Sequence, residues 1–84
     1  MTLEARLKHS LLALREAGSL GIRETMLLTT MQADGLDIDE PGLREALTAH
    51  ELARNITGVV DSLTGGTRYF LSAKGEAALA QYGL

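Results

Sequence analysis

Few side chains in this sequence are of types that do covalent chemistry, and their spacing argues against it. Two histidines and no cysteine occur in 84 residues, so neither a disulfide nor a thiolate metal site can be built. His9 and His50 fall on different helical segments. His50 sits on the apolar side of its own segment, where a packed, hydrogen-bonded imidazole is the expected role. Ser10, Ser19, Ser62 and Ser72 read as helix-face, loop, turn and cap residues, and none stands in the strand-turn-helix setting that exposes a nucleophile. Asp34, Asp37, Asp39 and Glu40 cluster, but Gly35 follows the first of them directly, which breaks the alternating ligand spacing of a calcium loop. Capping explains these acids more simply. Gly65-Gly66 lacks the Lys-Ser/Thr of a phosphate-binding loop and is read as a turn. The expectation is a non-enzyme with no catalytic residue, no metal and no cofactor.

What remains are side chains able to hydrogen-bond with a partner: Arg44, Glu45, Thr48, Glu51 and Arg54 on one helical segment, and Thr67 and Arg68 beyond it. The elements that must hold them are legible from periodicity. Leu3, Leu7, Leu11 and Leu14, widened by Leu12, mark a first helix from residue 3 to about 17, with Arg6, Lys8 and Arg15 off that line. Gly18-Ser19-Leu20-Gly21 breaks it. A second helix is expected from Ile22 to Ala33, its inner side formed by Ile22, Met26, Leu27, Thr30 and Met31, closed by a left-handed Gly35 with Leu36 folding back. Asp39 as cap, Pro41 in the first turn and an Ile38-Leu43 staple start a third helix. Its inward residues are Leu43, Ala46, Leu47, His50 and Ala53, and it stops near Asn55, a residue that tolerates the left-handed conformation.

Beyond Asn55 the runs Ile56-Thr57-Gly58-Val59-Val60 and Thr67-Arg68-Tyr69-Phe70-Leu71 flank a polar turn, Ser62 to Gly66, and predict a hairpin. Ser72 caps a last helix from about Ala73 to Tyr82, with Ala77, Ala78, Leu79 and Tyr82 packing back and Gly83 closing it. The whole chain, 1-84, reads as one α+β domain. Hydrophobic residues make up 45% of it but aromatics only 4%, so the core is aliphatic and modest, and self-association would help to stabilise it.

Three helices, a glycine-tipped hairpin and a return helix, in that order, resemble the winged helix-turn-helix superfamily of DNA-binding domains, as found in small bacterial and phage regulators. The run Arg68-Tyr69-Phe70-Leu71-Ser72-Ala73-Lys74-Gly75 is similar to the R-Y-x-L-T/S-x-x-G stretch that leaves the second wing strand in many bacterial members. Ile38 through Val60 resembles their recognition helix and first wing strand. A departure is the stretch Leu47-Thr48-Ala49-His50-Glu51-Leu52-Ala53-Arg54-Asn55-Ile56, which stands where such families often carry Leu-x-x-Leu-x-x-x-Gly-Leu-Val.

The resemblance implies a transcriptional regulator that places the third helix in the major groove of double-stranded DNA and the wing on the backbone, acting as a homodimer. Arg44 would then meet guanine or phosphate, Thr48 either, and Glu45 a cytosine amino group, with Glu51, Arg54, Thr67 and Arg68 completing the contact set. Ordinary explanations exist for the same residues: a solvated helix face with Arg-Glu pairs, and cross-strand pairing of Arg68 with Asp61. Charge weighs on the ordinary side. The net charge is -3, and Asp39 to Arg54 carries four carboxylates against two arginines, a poor match to phosphate. The alternative is a protein-interaction or assembly module on the same fold, presenting the acidic helix to a protein partner. Dimerisation would use the first helix or the last. The charged N-terminal turns suggest no signal peptide and no membrane contact, so a cytoplasmic protein is expected.

Overall fold

The computed structural model describes residues 1-83 and comprises four helices and one three-stranded antiparallel sheet. Helix α1 (Leu3-Ala17) begins where the Thr2 hydroxyl accepts the Ala5 N-H at 3.1 Å and ends at Gly18, whose φ of 66° turns the chain away. A single 3₁₀ turn, Gly18-Leu20, leads through Gly21 (φ 67°) into strand β1 (Ile22-Arg23). Helix α2 (Glu24-Ala33) follows directly. Its end is a Schellman closure: Gly35 takes φ 85°, its N-H reaches the Gln32 carbonyl, and the Leu36 N-H reaches Met31.

Helix α3 (Glu40-Leu52) starts as its sequence dictates. The Asp39 carboxylate accepts the Gly42 N-H at 2.8 Å, Pro41 lies in the first turn, and Ile38 and Leu43 are both buried in the core. Strands β2 (Ile56-Val60) and β3 (Thr67-Leu71) form the hairpin, and helix α4 (Ala73-Gln81) is capped by Ser72, which accepts the Gly75 N-H at 3.0 Å.

Helix α1 packs against α2, α3 and α4 at once, so the core lies around its inner side. Leu11, Leu14, Leu27, Met31, Leu43, Leu47 and Leu79 are fully buried there, and Tyr69 from β3 closes the sheet side. The one buried imidazole is also part of this packing. His50 Nε2 lies 2.8 Å from the Leu7 carbonyl, which can only accept, so Nε2 carries the proton and Nδ1 accepts from the Asn55 amide at 3.3 Å. Burial lowers the His50 pKa, partly opposed by the Leu7 hydrogen bond.

Several expectations need correction. Ile22 does not begin α2: with Arg23 it forms β1, pairing Ile22 with Tyr69 and Arg23 with Arg68, so the sheet has order β1-β3-β2 rather than two strands. The Gly21 turn delivers a β-branched residue to the open edge of β3, and that pairing outweighs helical periodicity. Met26, expected inside, is 57% exposed, and Leu28 packs on the core in its stead. Leu3, Ala53 and Ala77 are also on the surface. The left-handed residue after α3 is Arg54 (φ 64°) and not Asn55. Its N-H bonds to Glu51 and that of Asn55 to His50, so the Schellman geometry sets the αL position one residue earlier.

Candidate interaction surface

The outward side of α3 is built by the same periodicity that buries Leu43, Ala46, Leu47 and His50. Residues 41, 45, 48 and 52 fall in line on the opposite stripe. Together with Glu40, Arg44 and Ala49 they line an open hollow of about 520 Å³, and its lining is mostly apolar. Pro41, Ala49 and Leu52 supply the apolar surface, with Leu52 82% exposed.

The hydrogen-bonding groups around the hollow are largely spoken for. Arg44 donates from Nε and Nη2 to both oxygens of Glu24 at 3.3 and 3.4 Å, and from Nη2 to Glu40 at 2.9 Å. The hydrogen bond to Glu24, then the charges of Glu24 and Glu40, raise the Arg44 pKa further. Glu45 accepts from Arg6 Nη2 at 3.3 Å, and the Arg6 Nε is buried without a partner. Glu51 lies toward the hairpin, its carboxylate near Gly58, where it adds to the burial that raises the Tyr69 pKa. Three carboxylates, Glu24, Glu40 and Glu45, therefore pair with the two arginines, Arg44 and Arg6.

Of the remaining expected contact residues, Arg54, Thr67 and Arg68 do not join this group. Thr48 does lie in the hollow, exposed. Arg54 sits past the end of α3. Thr67 is half-buried opposite Val60, with its methyl against Gly58. Arg68 is not paired with Asp61: it donates to the Leu20 carbonyl at 3.1 Å, on the side of the α1-α2 connection. Asp61 is taken by Arg23 at 2.6 Å, and its pKa is lowered first by the Leu63 N-H. Leu52, Ala49 and Pro41 were missed as site residues, although the i, i+4 spacing of Thr48 and Leu52 carried the signal. Among the described residues no group of three or more His, Asp or Glu is arranged to hold a metal, and no helix is long and apolar enough to cross a membrane.

No protein-family model, curated protein or solved structure matches this chain.

Proposed function

We propose that the chain is a winged-helix interaction module that docks a protein segment, apolar at its centre and basic at its flanks, on the outward side of α3. Support for the architecture comes from the element order, which keeps the three helices, the hairpin and the return helix of the winged-helix pattern and adds β1 to the sheet. The observation that carries the function is the state of the arginines: Arg44 and Arg6 are paired with carboxylates around an apolar hollow. Apolar anchors seated in a pocket dominate protein interfaces, and rim charges set partner choice and on-rate.

DNA binding is the poorer account of the same surface. Counterion release requires several free cations facing phosphate. Using Arg44 for a base would leave Glu24 and Glu40 against the backbone of the duplex. The deciding experiment titrates the protein with fluorescent amphipathic peptides bearing Lys or Arg around a leucine core, with their Glu-flanked counterparts, and with mixed-sequence duplex DNA at low salt. Binding of the basic peptides, weakened at least tenfold by Leu52→Asp, is the expected result. Duplex binding that survives Leu52→Asp and falls with Arg54→Ala would overturn it.

A further inference from the structure

The hairpin carries a second surface, unrelated to the hollow. Strand β2 is at the edge of the sheet, bonded only to β3. Its pairing follows one register, Ile56 with Leu71 to Val60 with Thr67. In the same register the Asp61 N-H donates to Gly66 at 2.7 Å and the Ser72 N-H to Asn55 at 3.0 Å. Antiparallel ladders alternate, so Asn55, Thr57, Val59 and Asp61 turn their backbone groups toward β3. Ile56, Gly58 and Val60 turn theirs outward, away from the sheet. Edge strands of this kind are usually blunted by charge, proline or a bulge. Ile-Thr-Gly-Val-Val has none of these. Val59 and Val60 are 52% and 67% exposed.

We propose that β2 pairs antiparallel with β2 of a second copy of this chain, about a twofold axis at Gly58, to make one six-stranded sheet. The phase fits: Gly58 against Gly58 and Ile56 against Val60 become the hydrogen-bonded pairs, using the groups that point outward. Thr57 then faces Val59 of the other copy as a non-hydrogen-bonded pair. Charge selects the direction. The Arg54 side chain, just before the strand, makes no hydrogen bond or ion pair among the described residues, and Asp61, already bonded to Arg23, follows the strand. Antiparallel pairing brings Arg54 of each copy to the Asp61 end of the other, whereas parallel pairing sets like against like. The contact is self-complementary, as a twofold interface requires. Five residues per copy bury far less than the roughly 1,200 Å² of a stable interface, so the dissociation constant is expected in the range of tens to hundreds of micromolar.

Sedimentation velocity of the full chain from micromolar to millimolar concentration tests this, with Val60→Lys to set a charge on the shared edge. The wild-type mass should rise from 9.0 kDa toward twice that value. Val60→Lys should stay monomeric with an unchanged melting temperature at low concentration. Register is read by the double variant Thr57→Cys with Val59→Cys, which has no native thiol to confuse it. The facing Cα atoms, about 4.5 Å apart, suit a disulfide, so oxidation should link two chains. Thr57→Cys alone should not cross-link. A constant 9.0 kDa mass overturns the proposal, and so does a dimer that Val60→Lys leaves intact and the double variant fails to trap.

Discussion

Replacing Gly75 with alanine sets two effects of known size against each other in the first turn of α4. An alanine methyl at Gly75 would overlap the Asn55 carbonyl oxygen and lie 2.5 Å from a Leu71 methyl. The oxygen is backbone, and it already accepts the Ser72 N-H at 3.0 Å, while the Ser72 hydroxyl donates to the Arg54 carbonyl at 2.7 Å. Helix α4 cannot slide away freely, because Leu79 is fully buried one turn further along the same face. Overpacking of this kind costs about 1 to 3 kcal/mol, and loosening the Ser72 bond about 1 more. Against this, alanine gains up to about 1 kcal/mol of helix propensity over glycine. The expected net loss is about 2 kcal/mol, a large share of the stability of a domain this size, and a fall in Tm of roughly 8 to 16 °C. Thermal melts followed by circular dichroism measure it, with Ala77→Gly as the reference for propensity alone at an exposed site of the same helix. If Gly75→Ala melts at or above the wild type, the close approach of α4 to Asn55 is not a constraint and the reasoning fails.

Other consequences are as direct. His50 has a lowered pKa, so the unfolded chain binds its proton more readily than the folded one. Stability is then complete above the unfolded value of 6.5 and drains away as pH falls below it, by at most about 1.4 kcal/mol per unit. Urea titrations at pH 7 and pH 5 should show the drop, and His50→Gln should remove it. Arg54→Gly relieves a left-handed backbone on a residue with a Cβ and should stabilise by about 1 kcal/mol; an unchanged or lower Tm counts against the assigned geometry. Leu52→Asp, on an exposed side chain, should leave Tm within a few degrees of wild type, so that any lost binding reports the surface and not the fold.

Periodicity and caps made most of the helical frame legible. The start of α3 follows from Asp39 and Pro41 alone, and Gly35 ends α2 as its type demands. What stayed hidden was non-local. Ile22 fits a helical stripe as well as a strand, and only the free edge of β3, forty-seven residues on, decides between them. Arg54 carries no sign in its type that it turns left-handed; the closing bonds of α3 impose it. The motif ending in Gly75 was readable as a resemblance, but its reason, a carbonyl where a methyl would be, is a contact between distant segments. For the site, the outward exposure of Arg44, Glu45 and Thr48 was legible from spacing. Partnership was legible only in part: the Arg44-Glu40 pair has the expected helical spacing, but Glu24 and Arg6, which also hold Arg44 and Glu45, lie on other helices.

The hairpin is held on more than its own turn. Arg23 in β1 grips Asp61 at one end of the loop, and Arg68 in β3 reaches across to the carbonyls of Leu20 and Gly21. These ties tether the hairpin to the helical part of the domain, so a partner that engaged α3 and the hairpin together would meet a surface whose ordering entropy was lost when the chain folded. Cutting Arg68 back to alanine would then act at a distance: rigid docking would become docking with a conformational penalty, seen as a slower association with the contacted residues unaltered.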